Sequence, residues 1–264
     1  MYGASQDQNH IHTVIEMNPK VPNRNYSIYG TGEDCGPSLR QMSQNLANAN
    51  VDFVVCACNT AHAFKKDIVA GCGDNVQFLS MIDVTSNRVV QNIESQGGAR
   101  KCGILGGGGC ITARLFQDSL SARDIEPVVP SDSNQELLQS IIYRIKAGDK
   151  GDKVVDDFII LLKELREEQD CSQLILGCTE LPLIINACLE KYDGISQENL
   201  VDSTEVMVET IVKAAKGDLN LDELLEQINE VNDKYSQSMM TDSPNIHRED
   251  DYLTEFEVPL KNQN

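Results

Sequence analysis

The stretch from Gln173 to Glu180, with the sequence QLILGCTE, carries an apolar run that ends in glycine, cysteine and two hydrogen-bonding residues. Comparable runs occur at residues 51–56 (VDFVVC) and 101–105 (KCGIL), and polar or turn-forming residues follow each of them. Apolar runs of this length without alternation are typical of parallel strands that are buried on both faces. The three stretches therefore predict strands of a mostly parallel sheet.

Helical patterns separate these predicted strands. Apolar residues recur at steps of three and four from Leu39 to Ala49, from Leu137 to Ile145 and from Val154 to Leu165. This spacing is typical of helices that bury one face. The alternation of strands and helices predicts an α/β fold in which helices flank a mostly parallel sheet.

A weak internal repetition divides the chain into two similar lobes. A helix, a polar turn, an apolar strand and then Cys and Thr occur around residues 39–60 and again around 154–179. We expect residues 1–97 and 203–217 to form the first lobe and residues 98–202 the second, with a cleft between them. Residues 218–235 are predicted to form an extra amphipathic helix, which packs on its own lobe or serves an interface. The polar, acidic segment 236–264 is predicted to be a disordered tail.

The composition restricts the classes of partner. The 264 residues carry a formal net charge of −19, and 41% of them are hydrophobic. Such a chain repels nucleic acid and anionic membranes, whose binding needs clustered Lys and Arg. Apolar stretches do not approach the roughly 18 residues that span a membrane, and the first residues do not resemble a secretory leader. We expect a cytoplasmic protein without nucleic-acid or membrane partners.

Two of the nine cysteines stand out by their position. The odd number argues against a disulfide framework, and Cys56 and Cys58 lack the paired spacing of a structural zinc site, so we expect no metal. Most of the thiols are expected to be small core residues. However, Cys58 and Cys178 both directly follow predicted strands, and ligands bind beyond the carboxyl ends of parallel strands. We therefore expect these two thiols to meet across the cleft.

The sequence around both cysteines resembles a known family. Residues 58–62 (CNTAH) and 177–180 (GCTE) resemble the two signature motifs of the aspartate/glutamate racemases, and are more similar to those of aspartate racemases. Residues 18–24 (NPKVPNR) look like the NPxxPxR loop of the family. Residues 80–83 resemble its next strand end, and Lys146 resembles a lysine on the substrate side. The resemblance covers roughly residues 6–216.

The resemblance implies an activity and roles for individual residues. It implies a racemase whose substrate is aspartate or glutamate and which needs no pyridoxal phosphate or other cofactor. One cysteine, as thiolate, removes the Cα proton while the other, as thiol, returns a proton to the opposite face. Relatives are commonly dimers, so a homodimer is one expectation. The residues implied are Cys58 and Cys178 as catalytic groups, Asn18, Arg24, Asn59, Thr60, Lys146 and Thr179 in substrate binding, and His62 and Glu180 in supporting positions.

Several of these residues also have simpler interpretations. Arg24 is equally typical of a solvated loop, and Lys146 of a residue that complements a helix dipole. His62 fits a structural role at a helix start, and Glu180 fits a helix cap. For the whole chain, the alternatives are a related cysteine-dependent isomerase or decarboxylase, or a catalytically impaired relative.

The chain departs from the family pattern at two places that favour the impaired alternative. The strand, Gly-Met-Gly-Pro loop and helix that open the family are not found before the NPxxPxR segment, so the first lobe is expected to be incomplete at its N-terminus. Where the family has a Gly-Thr pair in the second lobe, residues 106–110 read GGGGC. A run of four glycines without a hydroxyl is more flexible and chemically different.

Overall fold

Two parallel β-sheets form the framework of residues 4–241, which are the residues that the computed structural model describes. The smaller sheet pairs β1 (Phe53–Val55) with β2 (Gln77–Leu79). The larger sheet has the order β4-β3-β5-β6, in which β3 is Lys101–Gly106, β4 is Glu126–Val128, β5 is Gln173–Gly177 and β6 is Leu200–Asp202. Every strand pair in these sheets is parallel. The predicted α/β class is confirmed.

Helices connect and flank the strands throughout the described residues. Short 3-10 turns also occur, one of them at Thr60–Phe64, and a π-helical turn at Glu164–Glu168 follows the eighth helix. The helices are α1 (Arg24–Ile28), α2 (Gly36–Asn48), α3 (Lys65–Cys72), α4 (Met81–Gln96), α5 (Gly108–Thr112), α6 (Leu115–Ser121), α7 (Asp132–Lys146), α8 (Asp152–Lys163), α9 (Pro182–Lys191), α10 (Ser203–Ala215) and α11 (Leu221–Thr241).

The larger sheet separates two hydrophobic cores because side chains alternate across a strand. Leu174 and Leu176 of β5 pack with α7, α8 and α9 on one face. Ile175 points to the other face, where it packs with α4, α6 and α10. A third core lies between the smaller sheet and the helices α2 and α3. Burial on both faces explains why β3 and β5 read as continuous apolar runs.

Helix α4 belongs to the core of the larger sheet. Met81, Val89 and Ile93 of this helix share one buried cluster with Ile104 of β3 and Ile175 of β5. The predicted boundary at residues 97–98 follows the last turn of this helix, and the division into two lobes stays a prediction.

Helix α11 packs on the same core. Its apolar stripe places Ile228 in the buried cluster, with Leu221, Leu224 and Leu225 partly buried beside it. The helix continues to Thr241, so residues 236–241, predicted as the start of a disordered tail, are its last residues. Their sequence, SQSMMT, places its two methionines side by side among polar residues, and a helical end without an apolar period leaves no signal in the hydrophobic pattern. The remainder of the predicted tail, residues 242–264, lies outside the described residues.

Within residues 4–241, the helices lack the combination of length and apolar character that crossing a membrane requires.

Candidate active site

The topology of the larger sheet places a crevice between β3 and β5. The chain passes from β3 to β4 on one side of the sheet and later enters β5 on the other side, so the direction of winding reverses between β3 and β5. Ligands of open parallel sheets bind at such a switch point, beyond the carboxyl ends of the strands. Gly106 at the end of β3 pairs with Gly177 at the end of β5. A cleft of about 100 Å³ opens at this edge.

Both predicted cysteines line this cleft from different sheets. Cys58 lies three residues after β1 of the smaller sheet, and Cys178 directly follows β5 of the larger sheet. Each thiol is half-buried, whereas Cys110, on the neighbouring helix α5, is fully buried. Burial and the proximity of Cys178 and Cys58 raise the pKa of Cys110, which keeps it a thiol. The cleft therefore brings together two accessible cysteines with a third one behind them.

Cys178 is held in its protonated form by its neighbour. Its Sγ donates a hydrogen bond of 2.9 Å to Oε2 of Glu180. Burial, followed by this hydrogen bond and the negative charge of Glu180, raises the pKa of Cys178 to about 12, and the charge of Lys146 opposes the shift. An anionic acceptor stabilises the thiol and disfavours the thiolate. At neutral pH, Cys178 is therefore a thiol.

Glu180 is ionised in this arrangement. Burial alone would raise the pKa of Glu180, but hydrogen bonds from Cys178 and Thr179 together with the charge of Lys146 lower it below its usual value. Thr179 donates from Oγ1 at 3.1 Å, and Nζ of Lys146 lies 3.7 Å from Oε1 of the carboxylate. The carboxylate thus has two donors and a cation around it, and its position is defined by all three.

His62 supports the loop of Cys58 from outside the cleft. Its Nε2 accepts a hydrogen bond of 3.1 Å from the backbone N–H of Met81, so Nδ1 carries the proton that is donated to the carbonyl oxygen of Cys58 at 2.9 Å. Complete burial lowers the pKa of His62 to about 4, so the ring is neutral at physiological pH. His62 therefore connects the Cys58 loop to the start of α4 rather than facing the cleft.

Most of the residues predicted to bind substrate come together at the cleft. Asn18 is the exception, because it does not line the cleft and its Oδ1 instead accepts a hydrogen bond of 3.0 Å from the backbone N–H of Lys20. Asn18 therefore stabilises the turn that leads into α1. The predicted substrate-binding residues that do line the cleft are Arg24, Asn59, Thr60, Lys146 and Thr179.

Helix α7 contributes residues that the sequence did not single out. Gln139, Ile142 and Tyr143 line the cleft on the same helix face as Lys146. Gln139 also fixes the glycine-rich loop, because its Oε1 accepts a hydrogen bond of 2.8 Å from the backbone N–H of Gly108. Their spacing of three, four and seven residues from Lys146 was the available signal, since such residues share one face of a helix.

The glycine-rich loop lies close to the segments around Asn25 and Thr60. A Cβ at Gly109 would lie 2.4 Å from Oδ1 of Asn25 and 2.9 Å from Cγ2 of Thr60. A side chain at position 109 would therefore make the side chains of Asn25 and Thr60 shift, so the loop is closely packed at this point. Among residues 4–241 the His, Cys, Asp and Glu side chains do not form a cluster of three that could hold a metal ion.

Comparison with known proteins assigns the family. A protein-family model described as Asp/Glu/hydantoin racemase matches residues 2–211. The chain belongs to this family. An uncharacterized protein of Pectobacterium carotovorum subsp. carotovorum is 30% identical over 139 residues, which are 52% of this chain and 84% of that protein. The broad specificity amino-acid racemase RacX of Bacillus subtilis is 24% identical over 80% of this chain and 85% of its own length.

The fold is also that of solved racemase structures. The aspartate racemase of Picrophilus torridus superimposes with a TM-score of 0.61 at 22% sequence identity, over 81% of this chain and 83% of that chain. At this identity the likeness establishes the fold. It places the chain among α/β proteins whose parallel sheets are flanked by helices.

Proposed function

We propose that this protein is a cofactor-independent amino-acid racemase in which Cys58 and Cys178 exchange protons with the two faces of the substrate Cα. The observation that carries the proposal is that the two thiols line one cleft from two different sheets. Inversion needs a base on one face of Cα and an acid on the other, and groups on opposite walls provide both without movement.

The two thiols enter the reaction in different states. Cys178 begins as the acid, because its proton is held between Sγ and the carboxylate of Glu180. Cys58 then has to be the thiolate that removes the Cα proton in this direction. When the substrate has the opposite configuration, Cys178 must act as the base, and Cys58, protonated from solvent, must be the thiol that returns a proton to Cα. The proton of Cys178 then passes to Glu180, the carboxylate that already accepts it in a hydrogen bond.

Aspartate, or the longer glutamate, is the proposed substrate. Two cations line the cleft, the guanidinium of Arg24 and the ammonium of Lys146, and a dicarboxylic amino acid has one carboxylate for each. The small volume of the cleft, about 100 Å³, favours a substrate of this size over a large side chain. Backbone N–H groups around Asn59, Thr60 and Thr179, together with the hydroxyl of Thr60, stabilise the negative charge that develops on the substrate in the transition state.

The proposal is tested by proton exchange in deuterated water. L-Aspartate incubated with the protein is expected to gain deuterium at Cα and to yield D-aspartate, as followed by NMR and chiral chromatography. Cys58→Ser and Cys178→Ser are each expected to lose this racemisation, whereas Cys188→Ser, at a buried thiol of α9, keeps it. Unchanged racemisation in either of the first two variants contradicts the two-base mechanism.

The impaired-relative alternative has its own observation in its favour. Residues 106–110 (GGGGC), of which Gly107 lines the cleft, stand where the family pattern has a Gly-Thr pair, and they lack its hydroxyl. Absence of deuterium exchange with both aspartate and glutamate in the unmodified protein would favour this alternative. Release of carbon dioxide without exchange would favour a related decarboxylase.

A further inference from the structure

Ser203 joins the two cysteine-bearing loops although it is distant from both along the chain. Its Oγ accepts a hydrogen bond of 3.1 Å from Nδ2 of Asn59, the residue that follows Cys58. The same hydroxyl donates a hydrogen bond of 2.9 Å to the carbonyl oxygen of Leu176, two residues before Cys178. One fully buried side chain therefore connects the loop of Cys58 to the end of β5, the strand that Cys178 follows.

The position of Ser203 is well defined by its surroundings. It is the first residue of α10 and follows Asp202, whose carboxylate accepts hydrogen bonds from the backbone N–H groups of Thr204 and Glu205. Asp202 ends β6 and pairs with Leu176 of β5. A capped helix start next to a paired strand leaves little freedom to the hydroxyl. Ser203 is thus attached to the rigid sheet rather than to the cleft loops.

The directions of these hydrogen bonds determine how the Asn59 amide is oriented. A hydroxyl has one hydrogen, and that of Ser203 goes to the carbonyl of Leu176, so Ser203 accepts from Asn59. The NH₂ group of Asn59 therefore faces Ser203, and its Oδ1 is left for another donor. This oxygen is buried and has no hydrogen-bond partner among the described residues, although Asn59 lines the cleft. A buried acceptor without a donor is costly unless a ligand supplies one.

We propose that Ser203 is a positioning residue of the racemase site, which presents Oδ1 of Asn59 to the α-ammonium group of an amino-acid substrate. This inference rests on the proposed function, since it takes the substrate to be an amino acid. Without the hydroxyl, the side-chain amide of Asn59 is free to rotate by 180° about its Cβ–Cγ bond, which exchanges the positions of Oδ1 and Nδ2. Its NH₂ group would then meet the substrate ammonium, donor against donor, and the Cys58 loop would lose its connection to β5.

The test compares two ligands that differ in the ammonium group alone. Equilibrium binding of aspartate and of succinate, which has both carboxylates but no ammonium, is measured for the unmodified protein and for Ser203→Ala. The affinity for aspartate is expected to fall about tenfold, as for the loss of one hydrogen bond to a charged group. The affinity for succinate is expected to change less than twofold.

Ser86→Ala is the matched control. Ser86 is also fully buried, and its Oγ has no hydrogen-bond partner among the described residues, so this variant reports the removal of a buried hydroxyl alone. Equal weakening of both ligands in Ser203→Ala, unchanged affinity for aspartate, or the same selective loss in Ser86→Ala overturns the proposal. If Ser203→Ala does not fold, Ser203→Cys is used, whose thiol is a weak hydrogen-bonding group of similar size. The same selective loss is expected, and its absence overturns the proposal.

Failure of the proposed function gives a different result. An unmodified protein that binds neither aspartate nor succinate contradicts the proposed substrate rather than the role of Ser203. The connection between the loops is then tested through the thiol itself, by the rate at which iodoacetamide labels Cys58, as followed by peptide mass spectrometry. The rate is expected to change at least threefold in Ser203→Ala and to stay unchanged in Ser86→Ala. Equal rates in all three proteins overturn the positioning role.

Discussion

Sγ of Cys178 donates a hydrogen bond of 2.9 Å to Oε2 of Glu180, and Lys146 lies 3.7 Å from the other oxygen of the same carboxylate. The proton of one proposed catalytic thiol is thus shared with an anion that has its own counter-ion. This arrangement is built from two residues that lie two positions apart in the sequence and from Lys146, which α7 contributes.

Replacing Glu180 by glutamine is expected to lower the pKa of Cys178 from about 12, because it removes the negative acceptor that stabilises the thiol. Burial still holds the pKa above its usual value. The measurement is the rate of iodoacetamide labelling at Cys178 as a function of pH, which should rise at a lower pH in Glu180→Gln. Glu190→Gln removes an equal charge from an exposed position of α9 and serves as control. A labelling profile that stays in place or moves to higher pH contradicts the role of Glu180.

Replacing Lys146 by methionine is expected to raise KM for aspartate about three- to tenfold, because it removes one of the two cations of the cleft. The effect is modest because the Lys146 side chain is 48% exposed. Initial rates with L-aspartate give KM, and Lys150→Met, at an exposed position after α7, is the control. Equal KM values in the two variants would show that Lys146 does not hold the substrate.

His62 is expected to make the protein less stable in acid. Its pKa is about 4 in the folded protein and about 6.5 in an unfolded chain, so between these values the unfolded state binds the proton and the folded state does not. The free energy of unfolding therefore falls as the pH falls from about 6.5 to 4, by roughly 3 kcal/mol. His62→Gln, whose amide can also donate and accept, should lose this decline in chemical denaturation.

The exposed His12 supplies the control for this effect. His12→Gln should keep the decline in stability that the unmodified protein has between pH 6.5 and 4. If His62→Gln shows the same decline as His12→Gln, the buried ring is not its source.

Replacing Gly109 by alanine is expected to lower the free energy of unfolding by about 1–3 kcal/mol, because the new Cβ lies 2.4 Å from Oδ1 of Asn25 and 2.9 Å from Cγ2 of Thr60 and both side chains must shift. Gly107→Ala is the matched control in the same loop. Its Cβ has no neighbour nearer than Oε1 of Gln139 at 3.6 Å, and its φ of −64° suits alanine. Urea unfolding compares the two variants. Equal free energies of unfolding would contradict the close packing at Gly109, because they would mean that the loop accommodates a Cβ there without cost.

The main strands could be predicted from the sequence, and the edge strands could not. β3 and β5 are buried on both faces, so their apolar runs are visible in the sequence. β4 and β6 have three residues each, and β4 contains Pro127, a residue that is tolerated at a sheet edge but carries no strand signal. Short edge strands depend on pairing with a neighbour, which one sequence does not encode in a local pattern.

The residues of the candidate site could be predicted where the reactive side chains belong to a contiguous sequence motif. Cys58 and Cys178, with the residues next to them, follow strand ends and line the cleft. Gln139 is a neutral residue inside a helix, and its hydrogen bond to the glycine-rich loop depends on tertiary packing. Ser203 contacts residues that lie 144 and 27 positions away, so its role could not be inferred from any local pattern.

The cleft is lined by two different parts of the structure, the loops that carry the thiols and one face of α7. The thiols stand on loops that follow strands, whereas Gln139, Ile142 and Tyr143 project into the cleft from one helix. A library that randomises these three codons would alter which side chains the cleft admits and leave the thiol loops untouched. If the proposed racemase function holds, adaptation to new amino acids, in the laboratory or during evolution, is thus open to small changes in one helix.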